Sequence, residues 1–297
     1  MTHVLVTGAT GYVGRRLVAR LAGSGTTIHA LTRSSASLPD GVEAVSGDLT
    51  DRASLERACA GASAVVNLAA VTADRKPPRG GYEAVNTVGA GNLAQAAKAA
   101  GVERFIQMGG IDTTTGPAGP YLSARRHGEA AIEASGIESI AILRPSIMFG
   151  GRDAAFPTAL ARLIKLAPVV PVPGDGKVRL QMIWVEDVIS CLATLVAEPA
   201  KRGTFPVGGP DHLTYDEVLD LIGEGINRKR VRKIHLPVPF MAMQAKLMRV
   251  LPKPPLTSAA LELFASDNVT QRDAVEREFG FAPRSFVTHI RQYGLTA

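Results

Sequence analysis

Three glycines spaced by three carry the first chemistry in this chain. Thr7-Gly8-Ala9-Thr10-Gly11-Tyr12-Val13-Gly14 follows a strand-like apolar run, Val4 to Thr7, and opens a helical pattern, Arg15 to Ala22. In that position the glycines allow a tight turn, a close approach of backbone to a pyrophosphate, and packing of helix on strand. The helix N-terminus offers free N–H groups and a partial positive charge to the phosphates. The chemistry expected is dinucleotide binding, with Gly8, Thr10, Gly11, Tyr12, Val13 and Gly14 as contacts. A second group bears on which dinucleotide. After the apolar run Ile28 to Leu31 the chain reads Thr32-Arg33-Ser34-Ser35. An acid at that point would bind the ribose 2′-OH of NAD and repel the 2′-phosphate of NADP. A guanidinium and hydroxyls suit a phosphate through charge-assisted hydrogen bonds, so Arg33 and Ser34 favour NADP over NAD.

Such residues work only if a sheet presents them along one edge. Ile28–Leu31, a shorter run around Val42–Val45, and Ala64–Leu68 are separated by helix-length segments, the βαβ rhythm of a parallel sheet. Tyr82–Ala100 reads as a long helix stopped by Gly101, Arg104–Met108 as a buried strand, Leu122–Ala134 as a helix stopped by Gly136, and Ser139–Leu143 as a strand. The expected fold is α/β, a Rossmann-type doubly wound parallel sheet over residues 1–150. Pro157, Pro168, Pro171 and Pro173 then break the rhythm. Residues 151–181 and 199–297 are assigned to a smaller substrate-side lobe, and 182–198 return to the sheet as a strand (Met182–Val185) and a helix (Glu186–Ala197). The lobe is expected to hold short helices at Tyr215–Gly223 and Ala259–Phe264, and a bend through Pro252, Pro254 and Pro255.

Composition narrows the classes. A chain of 297 residues with 46% hydrophobic and 20% charged residues can build a core larger than one typical domain, which excludes disordered and fibrous proteins. No apolar stretch nears the roughly 18 to 20 residues of a membrane span, and the start shows no signal-peptide pattern, so a soluble cytoplasmic protein is expected. Cys59 and Cys191 sit alone in apolar helical patterns and read as small buried hydrophobes, with neither a metal site nor a disulfide. The net charge of +6 favours anionic partners. The cluster Arg228, Lys229, Arg230, Arg232 and Lys233 lacks interleaved aromatics and reads as a solvated face, with no nucleic-acid partner. Pro237–Leu251 mixes Phe240, Met241, Met243, Leu247 and Met248 with Lys246 and Arg249 in a possible amphipathic helix. Such a helix touches a membrane or apolar substrate or, more simply, buries its apolar face in the lobe.

With its TGxxGxxG segment the sequence resembles the short-chain dehydrogenase/reductase superfamily, whose extended and atypical members open in this way. Gly47-Asp48-Leu49 is similar to the adenine-side aspartate motif and Asn67-Leu68-Ala69-Ala70 to the segment under the cofactor. Asn86, Leu143-Arg144-Pro145, Gly150 and Trp184-Val185-Glu186-Asp187-Val188 are further matches. The similarity is greatest to atypical members that include the nucleotide-binding accessory subunit of respiratory complex I and its bacterial relatives. The resemblance implies cofactor contacts at Asp48, Leu49, Leu68, Ala69, Ala70, Asn86, Met108 and Pro145. It also implies an active site, because the family pairs an acid/base tyrosine with a lysine four residues on and a substrate-orienting serine. Tyr121 takes the tyrosine position and Arg125 the lysine position, one turn away on the same helix face, and both fall beside the cofactor. Arginine is bulkier than lysine and cannot pass a proton on. Gly109-Gly110 stands where the family carries serine, so Thr113, Thr114, Thr115 or Ser146 would have to substitute. Two readings follow: an NADP-dependent oxidoreductase acting on a small, apolar organic carbonyl or alcohol, or a non-catalytic NAD(P)H-binding accessory or redox-sensing protein with a degraded site.

Overall fold

Val4, Leu5, Val6, Val65, Val66, Phe105 and Ile106 are all fully buried, so their strands are covered on both faces, as a parallel sheet requires. The computed structural model describes residues 3–33, 37–111, 118–228, 230–248 and 257–295. In its first half β1 (His3–Thr7), α1 (Gly14–Ala22), β2 (Thr27–Thr32), β3 (Val42–Ser46), α2 (Arg52–Cys59), β4 (Ala64–Asn67), α3 (Ala90–Ala99), β5 (Arg104–Met108), α4 (Pro120–Glu133) and β6 (Ser139–Pro145) follow in turn, with a helix between successive strands as expected except between β2 and β3, where none stands among the described residues. The second half holds β7 (Met148–Phe149), α5 (Ala155–Leu166), β8 (Val170–Pro173), β9 (Arg179–Leu180), β10 (Ile183–Trp184), α6 (Val185–Ala197), β11 (Gly203–Val207), β12 (Leu213–Thr214), α7 (Tyr215–Gly225), β13 (Lys233–Leu236), α8 (Val238–Met248), α9 (Ser258–Glu262), α10 (Ala274–Phe279) and α11 (Phe286–Tyr293).

Seven strands form one parallel sheet in the order β11-β6-β5-β4-β1-β2-β3. The chain runs outward from β1 to β3 and then crosses back to β4. That reversal opens a crevice at the carboxyl ends of β1 and β4, where ligands bind in sheets of this kind. Leu17 and Val18 of α1 and Val188 and Leu192 of α6 cover one face, while Leu55, Leu93 and Ile132 of α2, α3 and α4 cover the other. Each such side chain contributes about 1.5–3 kcal/mol relative to exposure.

Four expectations need correction. Residues 203–207, assigned to the lobe, form the edge strand of the central sheet, where Phe205 and Val207 turn inward and the strand pairs with β6. Pro206 within it is tolerated because an edge strand need not donate on its outer side. Met182–Val185 does not rejoin the central sheet. Ile183 and Trp184 pair with Met148 and Phe149 in a separate ribbon, and only α6 returns, packing on α1. In α8 the apolar residues are divided and do not form one buried face: Met241 and Ala245 are buried, whereas Phe240 and Met243 are 43% and 53% exposed. The basic cluster is also less solvated than expected. Arg228 donates to the carbonyls of Ile164 and Ala167 at the end of α5, and Lys233 pairs with Asp220 at 2.7 Å. Lys229, residues 249–256 and the side chains of Lys246, Leu247 and Met248 lie outside the described residues.

Among the described residues no helix is long and apolar enough to cross a membrane. Both cysteines are free and buried, and burial pushes the Cys59 thiol up to about 12 and the Cys191 thiol still further. Thiolate is the reactive form. A thiol-reactive chromogen at pH 8 is therefore expected to label neither cysteine in the native protein and both after denaturation. Prompt native labelling would contradict this burial.

Candidate functional site

The glycine turn is built as the sequence implies. Gly8 has φ +67°, and a Cβ there would stand 2.8 Å from the Ala69 nitrogen. A Cβ on Gly14 would stand 2.1 Å from the Gly8 carbonyl oxygen, so α1 lies directly on the turn. No side chain caps α1 and its first turn holds no acid, which leaves its dipole to an incoming anion. Thr10 is exposed on the turn, whereas Val13 is buried in the core beneath it. Tyr12 has a different task from the expected one for its side chain. Its hydroxyl donates to the Gly150 carbonyl at 2.7 Å, and Arg16 stacks over the ring and pairs with Asp153 and Glu186. The residue thus ties the glycine turn to the chain that leaves β6, and burial holds its phenol protonated.

Beneath the crevice a chain of hydrogen bonds crosses the strand ends. The Ala69 amide donates to Thr7 Oγ1 at 3.2 Å, and Thr7 Oγ1 donates to Asn67 Oδ1 at 2.5 Å. Asn67 Nδ2 donates to Gln107 Oε1 at 2.7 Å, and Gln107 Nε2 donates to the Met108 carbonyl at 2.8 Å. Arg125 Nη2 closes the chain on that same carbonyl at 2.9 Å. Thr7, Asn67, Gln107 and Arg125 are all buried, so leaving any partner unsatisfied costs about 1–3 kcal/mol. Leu68, Ala69 and Ala70 follow β4 as partly exposed crevice floor, and Pro145 is buried at the end of β6. Asn86 acts as a brace: its side chain accepts from the Val71 amide at 2.8 Å and donates to the Val71 carbonyl at 3.0 Å. The turn that aims it is π-helical, Glu83–Gly89, where an uninterrupted helix was expected. At that turn α4 comes so close that a Cβ on Gly128 would meet the Asn86 carbonyl oxygen at 2.0 Å.

Tyr121 lies in the first turn of α4, one turn before Arg125. Its ring packs edge-to-face on Tyr82 at 5.3 Å, in an apolar cluster with Val71, Ala73, Ala124, Ala259 and Leu263. Burial and the neighbouring charge of Glu262 push the Tyr82 phenol up to about 12, so it stays a donor to the Arg75 carbonyl. The expected serine position is occupied in another way. Arg144 and Glu129 form an ion pair at 2.5 Å, and a Cβ on Gly109 would stand 2.3 Å from Glu129 Oε1 and 2.9 Å from Arg144 Cγ. Ser146 does not substitute, because its hydroxyl is committed to the Gln181 carbonyl. Thr113, Thr114 and Thr115 lie outside the described residues.

Past β2 and β3, Arg33, Asp48, Asp51 and Arg57 line an open groove. Asp48 Oδ1 accepts from the Thr50 amide and hydroxyl at 2.8 and 2.6 Å, and these bonds hold its carboxyl below the usual range. Arg33 is 83% exposed and 4.0 Å from Asp48. Leu49 turns into the core and leaves the groove, and Ser34 lies outside the described residues. The Trp184–Val188 segment is structural: buried Asp187 accepts from the Arg284 amide at 2.7 Å while the Arg284 guanidinium covers Trp184.

Residues 4–208 match the NAD dependent epimerase/dehydratase family, which is more than half of the chain. The chain belongs to this family. Its fold is the extended short-chain dehydrogenase/reductase type, and family members depend on NAD(P). Ceramide reductase of Caulobacter vibrioides is 34% identical over 200 residues, which cover 66% of this chain and 61% of that protein. A mitochondrial NADH dehydrogenase [ubiquinone] 1 alpha subcomplex subunit 9 of Arabidopsis thaliana is 28% identical over 89% of this chain and 68% of its own. The chain thus spans about two thirds of the length of these relatives. Among solved structures, WbmG of Bordetella bronchiseptica in complex with NAD superposes with a TM-score of 0.73 at 21% identity, covering 99% of this chain and 95% of that one. MoeE5 in complex with UDP-glucose and NAD does so at 0.72 and 23%, covering 95% and 94%.

Sequence reasoning missed Thr7, Gln107 and Arg57 among the family site's neighbours. Thr7 closing β1 and Gln107 next to the end of β5, polar residues in otherwise apolar runs, were the available signal for the first two. Arg57 reads only as a helix-surface cation.

Proposed function

We propose that the protein is an NADP-dependent oxidoreductase that acts on a small apolar carbonyl or alcohol. The observation that carries this reading is Tyr121 and Arg125 one turn apart, with the guanidinium tied to the Met108 carbonyl at the crevice over β4 and β5. The cofactor, when bound, supplies or accepts the hydride. Tyr121 donates its phenol proton to the carbonyl oxygen as hydride reaches the carbon, and takes a proton from the hydroxyl in the reverse direction. Arg125 anchors and orients; since it passes no proton on, Tyr121 re-equilibrates with solvent. Val71, Ala73, Tyr82 and Leu263 around Tyr121 favour an apolar substrate over a sugar nucleotide. Arg33, exposed beside an Asp48 already engaged by Thr50, supports NADP. One observation favours a second reading, a non-catalytic NAD(P)H-binding accessory protein: Glu129 stands where a catalytic serine side chain would begin.

Titration with NADPH and NADH, followed by nicotinamide fluorescence, is expected to show tighter NADPH binding. Arg33→Ala should cost NADPH about tenfold, the worth of one charge-assisted hydrogen bond, and leave NADH unchanged. Equal affinities in the parent would refute NADP preference. With apolar aldehydes and ketones, NADPH consumption should fall by about 10²–10⁴ in Tyr121→Phe. Tight binding with no consumption by the parent would favour the second reading.

A further inference from the structure

The first turn of α4 carries Tyr121 but has no cap of its own. Its N-cap is Gly119, which has no side chain, Pro120 follows, and no acid stands in the first turn. The missing acceptor comes from the lobe. Glu262, the last residue of α9, accepts from the Leu122 amide at 3.2 Å and from the amides of Tyr121 and Gly119. The fit is close: a Cβ on Gly119 would stand 2.1 Å from Glu262 Oε1, so the bare N-cap is the space this carboxyl occupies. A second tether lies beside it. Thr257 Oγ1 donates to the Ala73 carbonyl at 2.6 Å and accepts from the Ala260 amide at 2.9 Å. Ala259 and Leu263 then pack with Ala73, Tyr82 and Tyr121, so α9 closes one side of the proposed substrate site. Burial raises the Glu262 carboxyl above its ordinary range, as expected for an acid seated on protein and not in water.

We infer that Glu262 is a positioning residue that caps α4 from across the lobe boundary, so that Tyr121 takes its working place only when α9 is docked on the crevice. A cap on backbone N–H groups at this end shifts the balance between formed and frayed turn about fivefold to tenfold. That is enough to decide whether the turn bearing Tyr121 is formed or frayed. The catalytic part of this inference rests on the oxidoreductase reading; the capping part does not.

The test uses the full-length protein with Glu262→Ala, Glu262→Gln and the double variant Gly119→Ser with Glu262→Ala. Amide hydrogen exchange is expected to quicken about fivefold to tenfold at Tyr121 and Leu122 in Glu262→Ala, with β1 and α6 unchanged. Glu262→Gln keeps an acceptor oxygen and should retain most of the protection. In the double variant a serine in the vacated space caps the helix locally and should restore it. Wherever the parent consumes NADPH with a carbonyl, kcat should follow exchange across the series while NADPH affinity stays fixed. Parent-like exchange at Tyr121 and Leu122 in Glu262→Ala would overturn the inference, as would restored exchange in the double variant with kcat still lost. A parent that turns over no carbonyl would refute the oxidoreductase reading alone, with the exchange series still deciding the cap.

Discussion

Gly14→Ala is expected to weaken dinucleotide binding by about two orders of magnitude and to lower stability together. The added methyl carbon would stand 2.1 Å from the Gly8 oxygen, 2.7 Å from the Ala9 Cα and 2.8 Å from the Gly8 carbonyl carbon. All three are backbone atoms, and Gly8 cannot yield, since its own φ of +67° and its contact with Ala69 fix it. The helix must therefore lift from β1 and pull Leu17 and Val18 out of register with the core. Such overpacking costs about 1–3 kcal/mol. If the displaced N–H groups hold the phosphates, as proposed, the nucleotide loses more, and a fall of about 100-fold or more in NADPH affinity is expected. Thermal melting and the fluorescence titration read both effects. Gly23→Ala is the control: it has ordinary φ and its nearest neighbour stands at 3.7 Å, so neither quantity should move. NADPH binding by Gly14→Ala at parent strength would show that the turn does not hold the phosphates.

Removing the cation under Gly109 should produce the largest loss of stability. Glu129 is nearly inaccessible and its carboxylate pairs with Arg144 at 2.5 Å, so Arg144→Leu leaves a buried carboxylate without that partner. Breaking a buried pair on one side costs about 3–5 kcal/mol, whereas replacing both partners with apolar side chains is often close to neutral. Chemical denaturation should place Arg144→Leu in that range and Arg144→Leu with Glu129→Leu well above it in stability. Equal loss in the single and double variants would mean that the pair does not act as a pair. The same geometry revises a natural experiment. Gly109→Ser restores the family's residue type but directs its Cβ at Glu129, so it is expected to destabilise the protein and not to raise carbonyl reduction.

How much the sequence disclosed depended on how local the cause was. The glycine turn, the βαβ rhythm and the one-turn spacing of Tyr121 and Arg125 are written within a few residues of where they act, and each stands in the structure at its expected place, save that no helix separates β2 from β3 among the described residues. β11 escaped because its strand signal is carried by Phe205 and Val207 alone, with Pro206 between them. Whether the apolar residues of α8 would be covered depends on α9 and β13, whose placement no helical periodicity reveals. The chain from Thr7 to Arg125 uses residues from four separate elements, and only the assembled strand ends bring them together. Glu262 is the extreme case: it lies 140 residues from the amide it accepts, and a lone acid in a short helix gives no sign of that.

The path of the chain also bears on how the protein is made. After β6 it leaves for α5 and β8, returns as α6 and β11, leaves again through α7 and β13, returns as α10 against β11 and α6, and ends with α11 in the lobe core. The two halves are therefore threaded through one another. During vectorial synthesis the nucleotide-binding half cannot be finished when residue 150 emerges; it must wait for β11 and then for Val275 of α10 to complete its core. A ribosome-bound chain arrested before α10 should accordingly remain open to protease across its first sheet, and the release of α10 should close it.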